Sequence, residues 1–209
     1  MLIIGAKGFA KELLEVLIHI DPAFDITFFD NLSTDLPGLL YKKYEVIRSV
    51  KGLPEHFAND PAFVLGIGGT LIRKQLCDIM LENGGLLKKV ISPYARIGHF
   101  DTIIGDGCTI MIGVAITNNI KIGKGCLVNV NSSIAHDCNI GEFCDIAPGV
   151  NIAGNVSIGN FCALGIGSVI LPGTRLGNNV IVGAGAVVTK DVPDNTTVAG
   201  VPARPLIKK

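Results

Sequence analysis

The sequence predicts a two-part fold: a small α/β unit of half-Rossmann type over residues 1–91, then a parallel β-helix over 92–190 closed by a tail at 191–209. Three observations predict it. Aliphatic residues recur at every sixth position from Ile104 to Val188. Glycine recurs at every eighteenth position on top of them. Ahead of both, short apolar runs ending in glycine or an acid alternate with stretches of helical period.

Leu2 to Gly5 reads as a short buried strand and Gly5-Ala6-Lys7-Gly8 as a turn. From Phe9 to Ile20, the residues Leu13, Leu14, Leu17 and Ile18 keep helical spacing. Ile26–Phe29 is a second strand that ends in Asp30-Asn31, and a loop rich in Leu, Pro and Gly leads to a strand at Tyr44–Ile47. Ala62–Gly68 is a further strand and Thr70–Glu82 a further helix. Backbone N–H groups of a glycine turn at a helix start attract anions, so this turn suits a phosphate. Gly5-x-x-Gly8 is not the full G-x-G-x-x-G pattern, and a turn needed only for packing explains two glycines equally well. Asp30, at the end of the second strand, favours a nucleotide pocket. The unit is too small for a second mononucleotide half, so a complete dinucleotide site is not expected.

The repeat is the stronger signal. Fifteen positions at six-residue steps, from Ile104 to Val188, are all aliphatic, and thirteen are β-branched. Gly105, Gly123, Gly141, Gly159 and Gly177 lie eighteen apart, so three hexapeptides form one unit with the same tight corner. A positive φ at that corner would suit glycine. The physical reading is a triangular solenoid with the aliphatic side chains inside and coils stacked about 4.8 Å apart.

Four residues after each aliphatic position the side chain is mostly small, and Cys108, Cys126, Cys138, Cys144 and Cys162 all fall there. Only Cys77 lies outside this lattice. A free cysteine packs as a small hydrophobe. These are therefore read as structural thiols, neither ligands nor nucleophiles.

Composition excludes other classes. Eighteen basic residues balance 18 acidic ones, which leaves no electrostatic footprint for nucleic acid. Hydrophobic residues make up 48%, yet no run approaches the roughly 18 uninterrupted apolar residues of a membrane span. The opening MLIIGAKGFAKELLEV lacks a basic n-region and carries charges inside its apolar stretch, so a secretory signal is not expected and a cytoplasmic location is. Of four histidines, only His99 and His136 fall in or near the solenoid, about two coils apart. Three imidazoles do not converge, and no metal is expected. His19 and His56 read as structural or surface residues.

His136 sits two residues after Ile134, at an outward corner followed by Asp137. Stacking by eighteen puts Asn118 in the coil before it and Gly154 in the coil after. Composition alone reads His136 as an exposed corner residue. The glycine neighbour suggests open space beside the ring, faced by the Gly154 N–H.

The segment Asn129-Val130-Asn131-Ser132-Ser133-Ile134-Ala135-His136-Asp137-Cys138-Asn139-Ile140-Gly141-Glu142-Phe143 closely resembles the catalytic segment of bacterial nucleotide-aminosugar N-acetyltransferases and their sialic-acid O-acetyltransferase relatives. The tail Val198-Ala199-Gly200-Val201-Pro202-Ala203-Arg204-Pro205 is similar to that family's closing segment, and the six-residue register resembles the hexapeptide-repeat acyltransferases at large. The resemblance implies a left-handed coil, a homotrimer with active sites between subunits, and acetyl-CoA as co-substrate. It implies His136 as general base, Asp137 as the group that orients it and raises its basicity, and the Gly154 N–H as the donor to the thioester carbonyl. Matching positions along the coenzyme are Asp145, Ile166 and Ala184, with Lys190 and Arg204 as phosphate partners. Relatives often carry a second histidine where this chain has Asp145. In the first unit the matched positions are Lys7, Gly8 and Phe9 on the glycine turn and Asp30-Asn31 after the second strand, where relatives commonly have paired acids. Arg73 is a softer candidate for the diphosphate.

The leading functional expectation is N-acetylation of a UDP- or other nucleotide-linked deoxyaminosugar. O-acetylation of a sialic acid or related sugar, and a non-catalytic scaffold that binds a nucleotide sugar, are the alternatives.

Overall fold

The computed structural model describes residues 1–206. Its first half runs β1 (Leu2–Ile4), α1 (Gly8–Ile20), β2 (Thr27–Phe29), β3 (Leu39–Leu40), β4 (Tyr44–Ile47), α2 (Leu53–Asn59), β5 (Ala62–Leu65), α3 (Thr70–Glu82) and β6 (Leu86–Leu87). The sheet order is β3-β4-β2-β1-β5-β6. Every pairing is parallel except that of β3 with β4. The central strand β1 is buried throughout, as its unbroken Leu-Ile-Ile requires of a strand covered on both faces. α1 buries Ala10, Leu13, Leu14, Val16 and Leu17, the stripe its periodicity set out.

Three details differ from the sequence reading. The strand at Ala62 stops at Leu65, because Gly66-Ile67-Gly68-Gly69 leaves the sheet and Gly69 takes φ +83°. The helix α2 and the short edge strands β3 and β6 have too few apolar positions to announce themselves; α2 buries only Leu53 and Phe57. The solenoid also begins before residue 92, since Val90–Ile91 already pairs with Thr109–Ile110 as its first rung.

From there the chain climbs a left-handed β-helix. Successive coils pair in parallel at eighteen-residue offsets, as in Thr109↔Leu127, Leu127↔Asp145 and Asp145↔Ala163. All fifteen positions of the aliphatic repeat are buried inside it. The closing tail belongs to the same architecture: Thr197–Ala199 adds in parallel to Ile181–Val182, and Arg204–Pro205 folds back antiparallel. Residues 207–209 of that tail lie outside the described ones.

The eighteen-residue glycine column is required for a reason other than the expected one. Gly105, Gly123, Gly141, Gly159 and Gly177 do not carry a positive φ. A Cβ on Gly123 would lie 2.7 Å from the Gly141 carbonyl carbon, and one on Gly141 would lie 2.7 Å from that of Gly159. Close stacking of one coil on the next excludes any side chain there. The left-handed backbone comes two residues later, at Gly107, Gly125, Phe143, Phe161 and Asn179, with φ between 50° and 71°.

The cysteine column has a polar task as well as a steric one. Cys108, Cys126, Cys144 and Cys162 donate to the carbonyls of Gly123, Gly141, Gly159 and Gly177 at 3.0–3.1 Å. Each thiol thus satisfies a carbonyl at the tight corner of the next coil. The hydrogen bond with Cys126, then burial, pushes Cys108 well above the usual thiol range. At Cys126 the hydrogen bond with Cys108 pulls down, but that with Cys144 and burial outweigh it and push the thiol up. Cys144 is pushed up to about 12.

The two halves share packed side chains. Val90, Met111 and Leu127 of the solenoid cluster with α1, and Phe143 clusters with Cys77 and Met80 of α3. The first sheet of the solenoid is therefore the platform on which the α/β half rests. No helix among the described residues is long and apolar enough to cross a membrane.

Candidate active site

The repeat sets the local geometry around His136. Ile134 points inward, which turns the chain at Ala135 and brings His136 out onto a corner, with its side chain 61% exposed. Asp137 takes φ +58°, a conformation that aspartate tolerates, and this folds its carboxylate back on the ring. Asp137 Oδ2 lies 2.7 Å from His136 Nδ1. Asp137 Oδ1 accepts from Asn119 Nδ2 at 3.1 Å. The hydrogen bond to His136, followed by that from Asn119, holds the Asp137 carboxyl below its usual range.

Gly154 is placed differently from the open space the sequence suggested. The imidazole lies directly against it: a Cβ there would fall 2.6 Å from both Nε2 and Cε1. Glycine is needed so that the ring can rest against the next coil. Asn119 carries no motif of its own, yet stacking by eighteen places it one coil before Asp137.

A second set of residues lies elsewhere. Ile166, 62% exposed, and Ala184 stack one coil apart on the corner that follows the first sheet, whereas His136 lies on the corner that follows the second. Lys190 and Arg204 line a cavity of about 260 Å³ at the far end of the solenoid. Asp145, read as a coenzyme contact, turns its carboxylate to the other half of the protein and accepts from the Gly69 N–H at 2.6 Å.

In the α/β half, β1 lies between β2 and β5, so the chain reverses direction across the sheet at the carboxyl end of β1. This is where such sheets form their crevice. Lys7, Gly8, Phe9 and Asp30 line a cavity of about 230 Å³ there, beside the N-terminus of α1. Asn31, Leu32 and Ile72 line an adjoining one of about 260 Å³. Asp30 acts on its own loop: Oδ1 accepts from the N–H groups of Leu32 and Ser33, and Oδ2 from Ser33 Oγ. Lys7 Nζ pairs with Asp35 Oδ1 at 2.9 Å. Arg48, unnoticed in the sequence, donates to the carbonyls of Ser33, Leu36 and Pro37 and so shapes the loop that rims the crevice.

Arg73 is not part of this crevice. It is 0% exposed, and its donors are taken by the carbonyls of Leu65, Ile67 and Gly125 at 2.6–3.1 Å. The expectation that it would meet a diphosphate is corrected: it is an interior residue between the two halves.

Comparison with known proteins bears on both regions. Residues 155–190 match the family model described as bacterial transferase hexapeptide (six repeats). No curated protein sequence matches the chain. PerB from Caulobacter crescentus, solved with CoA and GDP-perosamine, is 31% identical with a TM-score of 0.88, over 98% of this chain and 96% of that one. A histidine-to-asparagine mutant of perosamine N-acetyltransferase from the same organism, also with CoA and GDP-perosamine, is 29% identical with a TM-score of 0.90, over 99% and 96%. The acetyltransferase domain of PglB from Neisseria gonorrhoeae is 31% identical with a TM-score of 0.88, over 98% of each chain, and the same domain is known with acetyl coenzyme A. With relatives above 30% identity matched along almost their whole length, the chain belongs to the hexapeptide-repeat acyltransferases, among the nucleotide-aminosugar N-acetyltransferases, and is an acetyl-CoA-dependent sugar acetyltransferase.

Proposed function

We propose that this enzyme moves the acetyl group of acetyl-CoA to the amino group of a deoxyaminosugar carried on a nucleoside diphosphate, with His136 as general base. The observation that carries the reading is the anchored imidazole: Nδ1 faces Asp137, and the ring lies across Gly154. A carboxylate accepts and cannot donate, so it fixes the proton on Nδ1 and leaves the Nε2 lone pair outward. Nε2 takes the proton from the sugar amine as its nitrogen attacks the thioester carbon. The Gly154 N–H donates to the carbonyl oxygen as charge develops there. The C–S bond then breaks and the CoA thiolate leaves, with no acyl-enzyme and no cysteine or serine nucleophile. The relative that binds CoA and GDP-perosamine with a histidine replaced supports a role for histidine after binding.

The glycine turn, with Lys7, Gly8 and Phe9, takes the diphosphate, and Asp30-Asn31 face the nucleoside. The cradle reads the diphosphate, which UDP and GDP share, so UDP- and GDP-linked amino sugars are both assayed. The coenzyme runs past Ile166 and Ala184 to Lys190 and Arg204. Because Ile166 and His136 lie on different corners of one solenoid, a second copy completes the centre, which supports a homotrimer with active sites between subunits. The reaction is assigned to the cytoplasm, where acetyl-CoA is held.

The test is His136→Ala assayed for CoA release. Turnover should fall by about 10²–10⁴-fold with the circular dichroism spectrum unchanged. An unaltered rate removes His136 from the mechanism, and thiol release only with hydroxyl acceptors removes the amine as nucleophile.

A further inference from the structure

We propose that Arg73 and Asp145 are positioning residues that pin the loop Gly66–Gly69 and thereby fix the nucleotide crevice onto the coil that carries His136. The inference rests on the nucleotide-sugar reading of that crevice.

The loop has two faces, both tightly held. On the crevice side it abuts the glycine turn with no space for a side chain: a Cβ on Gly5 would lie 2.9 Å from the Gly66 oxygen, and one on Gly66 would lie 2.9 Å from the Ile4 oxygen. Ile67 lines both crevice cavities. On the solenoid side, Arg73 Nη1 donates to the carbonyls of Leu65 at 3.1 Å and Ile67 at 2.6 Å. Its Nε reaches across to Gly125 of the solenoid at 3.0 Å, with longer contacts from Nη2 to Gly107 and Thr109. Asp145 accepts from the Gly69 N–H, so both ends of the loop are tied to solenoid coils.

A fully buried arginine is costly to desolvate and is weakly justified by stability alone. Burial pushes the Arg73 guanidinium down, and the Asp145 carboxylate is the chief opposing charge. Only the planar fork of arginine can reach carbonyls on both halves at once. Asp145 lies nine residues past His136, within the same eighteen-residue coil. From the coil that carries His136, contact runs through Asp145 to Gly69 and through the loop to Gly5 of the glycine turn. Where relatives often carry a second histidine, this chain carries an acceptor for a backbone amide.

The experiment compares the wild type with Asp145→Ala and Asp145→Asn by amide hydrogen exchange over residues 5–9 and 66–69 and by steady-state kinetics. In Asp145→Ala, exchange should quicken by about tenfold in both segments. The KM for the nucleotide sugar should rise about tenfold, with that for acetyl-CoA within about twofold. Asp145→Asn, whose amide oxygen can still accept from Gly69, should restore most of both. A rise confined to the acetyl-CoA KM makes Asp145 a coenzyme contact and overturns the proposal. So does faster exchange at 66–69 with none at 5–9. If the wild type acetylates no nucleotide-linked amino sugar, the functional reading fails, while the exchange result still decides whether the loop is pinned.

Discussion

Asp137 joins His136 to the preceding coil: one carboxylate oxygen lies 2.7 Å from Nδ1, and the other accepts from Asn119 at 3.1 Å. The imidazole is thereby tied to a second coil by two side chains. We expect Asp137→Asn to lower kcat by about 10²-fold and Asn119→Ala by up to about tenfold, because the second acts only through the first. Neither should move the KM of either substrate by more than about twofold.

The same carboxylate fixes a pH dependence. Its folded value is depressed by His136 and Asn119, so its contribution to stability is present above the ordinary carboxylate range and is lost as pH falls through the lowered value. The thermal-melting difference between wild type and Asn119→Ala should be visible above the ordinary carboxylate range and should shrink as acid protonates the lowered Asp137 carboxyl. A difference that grows in acid would show that Asn119 acts through another group.

Gly154 is the backbone position against which the His136 ring rests. An alanine Cβ would fall 2.6 Å from Nε2, and the ring would have to swing off its coil. We expect Gly154→Ala to reduce turnover by about 10²-fold or more, with the melting temperature little changed because the imidazole is exposed and can move aside.

Two glycines in the solenoid should behave in opposite ways. Gly141→Ala drives a Cβ to 2.7 Å from the Gly159 carbonyl carbon, which cannot yield, and should cost about 3 kcal/mol by denaturant titration. Gly167→Ala meets nothing within 4 Å but sits at φ +66°, and should cost about 1 kcal/mol.

The thiols should be silent until the protein unfolds. All six cysteines are free and buried, so a thiol reagent should react slowly with the native protein and with all of them in denaturant. For Cys108, Cys126 and Cys144 the folded value lies above the ordinary one. Their contribution is therefore complete below the ordinary thiol range and is lost as pH rises beyond it, so stability should decline above about pH 9. Cys162 is shifted the other way by the Cys144 thiol and offsets part of the loss.

The solenoid was legible because one physical demand, an inward aliphatic side chain, recurs at a fixed step from Ile104 to Val188. The histidine corner was legible for the same reason, since stacking by eighteen places Gly154 beside His136 without any coordinates. Asn119 obeyed the same arithmetic one residue further on. Arg73 was not legible: arginines in helices are usually surface residues, and its solenoid partners lie 34–52 residues away. The glycine column is visible in the sequence but its cause is not, because spacing cannot distinguish a steric requirement from a dihedral one. The crevice residues Lys7 to Asn31 were brought together by strand order, which local alternation of strands and helices makes predictable, whereas the loop grip of Arg48 depends on backbone carbonyls that no side-chain pattern encodes.

The glycine column also makes the solenoid a ruler. By forcing every coil to rest on the next at the strand spacing of about 4.8 Å, it fixes the axial distance between any two corners to a whole number of steps. Lys190 lies 54 residues past His136, three steps along the axis, or about 14 Å. Adding or removing a whole coil would shift Lys190 against His136 by one full step, while the last coil closes in sixteen residues and still brings Ile181 opposite Thr197 and Leu176 opposite Val192. The axial separation of any two corners is thus counted in coils and changes only in whole steps.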